Sequence, residues 1–103
     1  MAALVSQLTM SPLNEIQIEE RLAELGGWRR GERSEIVREL DFADFAAAIA
    51  FVNEVAELAE AANHHPDILV YAWNMVRLTL STHSEGGLTN ADFKLASEID
   101  RLD

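Results

Sequence analysis

The feature that most constrains the fold is a short stretch in which apolar and polar side chains alternate strictly. Its apolar positions are Val76, Leu78 and Leu80, and its polar positions are Arg77, Thr79 and Ser81. Successive side chains of an extended strand point to opposite faces, so this alternation is typical of a sheet with one buried face. We therefore predict a strand over residues 75–82, which needs further strands beside it and a second layer against its apolar face.

Capping signals predict two shorter helices, one near each end of the chain. Two pairs of residues have the spacing of a capping box, in which side chains satisfy backbone N–H groups at a helix start: Asn14 with Gln17, and Thr89 with Asp92. The first helix is expected to stop at Gly26-Gly27, because glycine tolerates the left-handed conformation that often follows a helix. The other is expected to run to about position 101.

A longer helix is predicted between them, from Phe45 to about Asn63. Asp44 can cap its start, and Pro66 is expected to force its end, because the residue before a proline avoids the helical region. An apolar stripe recurs at helical spacing and should face the core: Phe45, Ile49, Val52, Ala56 and Ala59, broadened by Phe51, Val55 and Leu58.

Three further strands complete the predicted order. Residues 28–30 and 35–40 are predicted to form a hairpin around the polar segment 31–34, and residues 67–73 to form the strand before the alternating one. Arg38 interrupts the apolar face of the hairpin. The order α-β-β-α-β-β-α predicts an α+β fold of two layers, with a four-stranded antiparallel sheet and helices on one face.

Length and composition limit the range of functions. The 103 residues suffice for one domain, which we place at residues 14–103 after a loose N-terminal lead-in at 1–13. The sequence has no cysteine, which excludes disulfides and thiolate chemistry. A formal net charge of -10 argues against binding to nucleic acid or to anionic membranes, both of which attract basic residues.

The N-terminal segment has no basic region, and Ser6 and Gln7 break its apolar run, so it does not resemble a signal peptide. No stretch approaches the roughly 20 apolar residues that a membrane span requires. We therefore expect a soluble, cytoplasmic protein.

Three histidines are the strongest candidates for chemistry. His64 and His65 are adjacent at the end of the long helix, and His83 follows the last strand. Glu60 and Asp92 are carboxylates near these positions in the predicted order of elements. Histidine exchanges protons near neutral pH, so two positioned imidazoles can donate one proton and accept another, and nearby carboxylates can orient them.

Each of these residues also has a purely structural explanation. The helix dipole favours a histidine at a helix C-terminus, His83 can be a surface residue before a turn, Asp92 can be a cap, and Glu60 can lie on a solvated face. A metal site with three histidine ligands is another alternative. Side chains of neighbouring helical residues point roughly 100° apart, so His64 and His65 would rarely bind one ion, and we expect no metal or other cofactor.

Several short motifs follow one another in a characteristic order. They are Leu25-Gly26-Gly27-Trp28, the run from Ile36 to Phe45, Glu60-Ala-Ala-Asn63-His64-His65-Pro66-Asp67, Ser81-Thr82-His83-Ser84, and Gly87-Leu88-Thr89 with Asp92. Their residue types and spacing resemble the pterin-4a-carbinolamine dehydratase family over about residues 14–102. The segment after Pro66 looks one residue longer than in animal members, which a bulge or a longer turn would absorb.

The resemblance implies an enzyme with the predicted fold, assembled as a homodimer or homotetramer. Members of the family eliminate water from 4a-hydroxytetrahydropterin, which aromatic amino-acid hydroxylases release, to give quinonoid dihydropterin during tetrahydrobiopterin recycling. One histidine would protonate the leaving hydroxyl, and another would remove the proton from the adjacent ring nitrogen.

The resemblance also implies the residues of the site. His64, His65 and His83 match the family's active-site histidines, and we expect His64 and His83 to transfer protons while His65 positions the substrate. The matching substrate-binding residues are Glu60, Pro66, Thr82, Ser84, Glu85 and Asp92. Two alternatives stay open: a non-catalytic pterin-binding or regulatory homologue, and a dehydratase-like protein of another pterin pathway, such as that of the molybdenum cofactor.

Overall fold

The computed structural model describes residues 11–102, and within that range the helices and strands follow the predicted order. The elements are α1 (Glu15–Ala23), β1 (Arg29–Arg30), β2 (Ile36–Asp41), α2 (Phe45–Ala62), β3 (Asp67–Tyr71), β4 (Met75–Leu80), a single 3₁₀ turn (His83–Glu85) and α3 (Asn90–Asp100). The predicted α+β class, with a four-stranded antiparallel sheet covered by helices, is confirmed.

The sheet has the strand order β1-β2-β4-β3, and every neighbouring pair is antiparallel. The apolar positions of the alternating strand, together with Ile36 of β2, are completely buried against the helices. The helices complete this core with Ile18, Phe51, Val55, Leu95 and Ile99. The opposite face of the sheet is left open by the helices and carries mostly polar side chains, among them Glu39, Arg77 and Thr79.

The hairpin between β3 and β4 is shorter than predicted. The prediction extends these strands to positions 73 and 82, whereas they end at Tyr71 and Leu80. Ala72 and Trp73 have φ angles of 48° and 55°, so they form the turn and cannot continue an extended strand. The register is unbroken from the Tyr71–Met75 pair onwards, so the paired part of these two strands contains no bulge.

Arg38 lies on the helix-covered face of β2, where an unpaired charge would be costly. Its guanidinium is paired with the Asp100 carboxylate at the end of α3. Trp28 Nε1 donates a hydrogen bond of 2.8 Å to the same carboxylate oxygen. The interruption in the apolar pattern is therefore a polar link between the sheet and the last helix.

The predicted helix starts are confirmed. Asn14 and Gln17 exchange hydrogen bonds of 2.8 and 2.9 Å, and Thr89 with Asp92 forms the second capping box. Asp44 caps α2 by accepting a hydrogen bond of 2.8 Å from the backbone N–H of Ala47.

The end of α2 lies at its predicted position, about Asn63, but its cause differs from the prediction. The helix ends at Ala62, before Pro66 can influence it, because Asn63 adopts the left-handed conformation at φ 51° and ψ 43°. The backbone N–H of His64 then bonds to the carbonyl oxygen of Ala59 at 3.1 Å and closes the helix. This turn sets the direction in which the two adjacent histidines leave the helix.

The buried face of α2 includes Phe51, Val55 and Ala59 of the predicted apolar surface but not its positions Phe45 and Ala56. The buried residues are Ala48, Phe51, Val55 and Ala59, whereas Phe45 is 55% exposed and Ala56 is also exposed. Alanine and larger apolar residues occur on several sides of this helix, so periodicity alone does not define its rotation. The small Ala48 and Ala59 allow the helix to lie close to the core.

The predicted lead-in falls mostly outside the described residues, since only positions 11–13 are described. Leu13 is well held, because its backbone N–H bonds to the carbonyl oxygen of Leu88 at 2.8 Å and its side chain packs against the core. Within the described part of the chain, no helix is long and apolar enough to span a membrane.

Candidate active site

The candidate site is assembled where α2, β4 and α3 have their ends. His64 and His65 follow the left-handed turn that ends α2, and His83 begins the 3₁₀ turn after β4. The loop that carries His83 is closed by a bridge between Thr82 and Gly87 and by the Gly86 N–H bonding to the His83 carbonyl oxygen at 3.0 Å. Gly86 has a φ of 79°, a conformation that a side chain would disfavour.

Asp92 is a completely buried carboxylate that joins these elements. One oxygen accepts a hydrogen bond from His64 Nε2 at 2.6 Å, and the other accepts from Thr82 Oγ1 at 2.7 Å and from the Thr89 N–H at 2.9 Å. These three donors, together with the position of the carboxylate in the first turn of α3, compensate the cost of burying a negative charge.

The Asp92 bond also determines how His64 presents its ring. A carboxylate can only accept, so Nε2 of His64 carries a proton and Nδ1 is the acceptor of the neutral imidazole. The His64 side chain is only 14% exposed. The ring is thus held in one orientation and one tautomer.

His65 makes the same kind of bond in a different environment. Its Nε2 lies 2.6 Å from Glu60 Oε2, one turn back along α2, but the two side chains are 57% and 77% exposed. Water competes with such a contact, so Glu60 guides the ring without fixing it.

His65 and His83 lie in the wall of one small cavity of about 60 Å³, on the open face of the sheet. Its lining residues are Glu35, His65, Asp67, Thr79, Ser81 and His83. A second cavity of about 210 Å³ shares three of these residues, Glu35, Ser81 and His83, and extends towards Gly87. His64 is not among the lining residues of either cavity.

The other residues predicted for the site fall into two groups. Thr82 and Asp92 belong to the buried network behind the cavity. Ser84 and Glu85 are exposed on the 3₁₀ turn and Pro66 is half-buried, and none of these three lines the two cavities. Within residues 11–102, no three His, Asp or Glu side chains are grouped in a way that would hold a metal ion.

Glu35 is a lining residue that the sequence patterns do not identify. The register that pairs Ile36 with Leu80 places Glu35 beside Ser81, just beyond the paired part of the sheet. Ser81 Oγ donates a hydrogen bond of 2.8 Å to the Ser34 carbonyl oxygen and links the two loops there. Only the strand register reveals this neighbourhood, because residues 35 and 83 are far apart along the chain.

A second polar cluster lies on the same open face, at the other end of β3. Tyr71 donates a hydrogen bond to the Glu39 carboxylate, which also contacts Arg29 at 3.1 Å and Arg77 at 3.6 Å. The hydrogen bond from Tyr71, assisted by the two arginines, holds the pKa of Glu39 below its usual range. The same bond raises the pKa of Tyr71, because tyrosinate would face a carboxylate.

Comparison with known proteins gives consistent matches. The family model described as pterin 4 alpha carbinolamine dehydratase matches residues 11–102. A relative from Roseiflexus castenholzii, provisionally named a pterin-4-alpha-carbinolamine dehydratase, is 53% identical over 87% of this chain and 95% of its own length.

Two solved structures are also similar. The transcriptional coactivator/pterin dehydratase from Brucella melitensis has a TM-score of 0.85 and 38% identity, over 89% of this chain and 98% of that one. A pterin dehydratase-like protein identified as a RuBisCO assembly factor in the alpha-carboxysome has a TM-score of 0.60 and 26% identity, over 75% of this chain and 89% of that one. The family-model match and the 53% identity establish that this chain belongs to the pterin-4-alpha-carbinolamine dehydratase family.

Proposed function

We propose that the protein dehydrates 4a-hydroxytetrahydropterin to quinonoid dihydropterin by general acid–base catalysis with histidines. The observation that carries the proposal is the placement of His65 and His83 in one cavity, next to a third histidine held by a buried carboxylate. Membership of the family supplies the substrate class.

The reaction needs two proton transfers and no change of oxidation state. The substrate carries a hydroxyl group on the carbon next to a ring N–H. A general acid protonates the hydroxyl, which leaves as water, while a general base removes the proton from the nitrogen. The nitrogen lone pair then forms the C=N bond of the product, and each proton transfer is typically worth about 10²–10⁴-fold in rate.

The residues that line the cavity favour a different division of roles from the one expected from sequence. The sequence-based hypothesis pairs His64 with His83, whereas the cavity wall contains His65 and His83. We assign the two proton transfers to His65 and His83. His64, fixed by Asp92, supports the cavity wall and orients the segment that carries His65.

The remaining predicted residues act around this pair in the proposal. Glu60 orients the His65 ring. Thr82 and Asp92 position His64, while Pro66, Ser84 and Glu85 shape the approaches to the cavity from its two flanking loops.

Stopped-flow measurement of carbinolamine loss tests the proposal, with the substrate generated in place by an aromatic amino-acid hydroxylase. The wild-type protein should accelerate the spontaneous reaction, and His65→Ala and His83→Ala should each lose about 10²-fold or more. His64→Ala should lose less, because His64 acts through its neighbours. A full rate in both His65→Ala and His83→Ala would contradict the assignment.

A non-enzymatic role is the second candidate, and the likeness to the RuBisCO assembly factor favours it. It predicts no acceleration by the wild-type protein under the same conditions. Replacing any of the three histidines with alanine should then leave the non-enzymatic function unchanged.

We also propose that the protein forms a cytoplasmic homodimer or homotetramer that serves tetrahydrobiopterin recycling. The edge strand β3 exposes Ile68 and Leu69, and the adjoining turn exposes Trp73. An edge strand with apolar side chains is suited to pairing with another copy of the chain. Sedimentation equilibrium should give a mass of two or four chains, and a monomer at all concentrations would contradict this part of the proposal.

A further inference from the structure

Glu35 occupies a central position among the cavities on the open face of the sheet. It lines the 60 Å³ cavity that contains His65 and His83, and the 210 Å³ cavity beside it. It also lines a third cavity of about 310 Å³ that extends across the sheet towards Arg29 and Arg77. The three cavities thus adjoin one another around the Glu35 side chain.

The Glu35 side chain lies against its own loop. The backbone N–H of Gly31 bonds to the Glu35 carbonyl oxygen at 3.0 Å, and the side chain lies over Gly31. A Cβ atom added at Gly31 would be 2.2 Å from Glu35 Oε2, so a larger residue there would require the Glu35 side chain to move.

The two carboxylate oxygens of Glu35 accept no hydrogen bond from any described residue. Glu35 is half-buried, and its carboxylate oxygens are not among the buried polar atoms that lack a partner, so they are open to solvent. Arg29 and Arg77, the two arginines that line the third cavity, contact Glu39 instead. The carboxylate is therefore available to a ligand in the cavity.

The chemistry of a pterin matches this carboxylate. Its 2-amino group and N3–H are two adjacent donors with the spacing of a guanidinium edge, which a carboxylate binds with two parallel hydrogen bonds. This edge lies on the opposite side of the double ring from the carbon and nitrogen that react. A pterin with its reactive side at His65 and His83 would extend its donor edge away from the two histidines.

We propose that Glu35 binds the amino-pyrimidine edge of the pterin and so selects and orients the substrate. The inference rests on the function proposed above and adds a substrate-binding residue to that site. A hydrogen bond to a charged group is worth about 10- to 100-fold in affinity, and two such bonds formed equally in the ground and transition states change KM rather than kcat.

Equilibrium binding of two stable probes gives the first test. They are 7,8-dihydropterin and 7,8-dihydrolumazine, in which a carbonyl oxygen replaces the 2-amino group. The wild-type protein should bind the pterin at least about 10-fold more tightly, because the lumazine oxygen would face the carboxylate. Glu35→Gln should lose most of this preference, and Glu35→Asp should keep part of it. Equal affinity of the wild-type protein for the two probes overturns the proposal, whatever the variants do.

Steady-state dehydration gives the second test. Glu35→Gln should raise KM about 10-fold and leave kcat within about twofold. Glu57→Gln is the control, since Glu57 is exposed on α2 and lines none of these three cavities. It should leave both constants unchanged.

The outcomes separate this proposal from the function on which it rests. If Glu35→Gln keeps the wild-type KM and probe preference while His83→Ala loses activity, the Glu35 proposal is wrong and the dehydratase stands. If the wild-type protein prefers dihydropterin through Glu35 but accelerates no dehydration, pterin recognition stands and the catalytic proposal fails.

Discussion

Replacing Asp92 with asparagine is expected to lower stability and to move a proton within the His64 ring. The buried carboxylate of Asp92 faces His64 Nε2 with one oxygen, and Thr82 and Thr89 with the other. An asparagine can place its amide oxygen towards the two threonines. Its NH₂ group then faces the protonated Nε2 of His64, and two donors would confront each other.

The ring can relieve this conflict by carrying its proton on Nδ1, so that Nε2 accepts from the amide. No hydrogen bond is then lost, but three bonds to a charged acceptor become neutral ones. Bonds to charged groups contribute about 1.5–3 kcal/mol each and neutral ones about 1 kcal/mol. Since the aspartate also has a higher desolvation cost, we expect the free energy of unfolding to fall by about 2 kcal/mol. In a domain of this size, that lowers Tm by roughly 8–16 °C.

Glu60→Gln is the matched control, because His65 and Glu60 make a bond of the same length, 2.6 Å, with both partners largely exposed. Exposed pairs contribute between zero and about 1 kcal/mol, so this variant should remain close to the wild type. Denaturant unfolding measures both changes, and nitrogen NMR of the histidine rings reports which nitrogen carries the proton. Equal destabilisation by the two substitutions, or a His64 Nε2 that stays protonated in Asp92→Asn, would refute the reasoning from burial.

Two further predictions concern the end of α2 and the polar cluster on the open sheet face. Asn63→Ala should destabilise the protein by about 1 kcal/mol in denaturant unfolding, because alanine disfavours the left-handed conformation. Asn63→Gly should be nearly neutral, and identical effects of the two substitutions would exclude the left-handed conformation as the cause. Tyr71 is the single tyrosine of the chain, so its absorbance on titration should show a pKa above the ordinary value, and Glu39→Gln should bring that pKa back down. The raised pKa means that the Tyr71–Glu39 bond stabilises the fold below the ordinary tyrosine pKa and that this contribution is lost as pH rises through the folded-state value; an unshifted tyrosine would contradict it.

The parts of the fold that follow from local chemistry are predictable from the sequence. The capping boxes at Asn14 and Thr89 depend on residues three positions apart, and the alternation in β4 depends on the period of a strand. Each of these signals is complete within a few residues. Their order along the chain is then sufficient to indicate the class of fold.

Features that depend on distant contacts are not predictable in this way. The rotation of α2 is decided by which small residue fits against the core, and Phe45 is exposed although it continues an apolar stripe. Arg38 breaks the apolar pattern of its strand, and the sequence does not show that Asp100 lies opposite and pairs with it. Glu35 and His83 line the same cavity only because β2 and β4 are neighbours in the sheet.

The adjacent histidines show how far a motif can define a site. Histidine side chains suggest proton transfer, but the sequence alone does not indicate that two adjacent histidines have different roles. The left-handed turn at Asn63 separates them: His64 is directed to a buried carboxylate, and His65 to a cavity that it shares with His83. A ring that is restrained by Asp92 and largely buried is suited to positioning, whereas an exposed ring guided by Glu60 can approach a substrate and exchange protons. The burial of each carboxylate partner, rather than the histidine motif itself, is therefore the basis of the two roles that we propose.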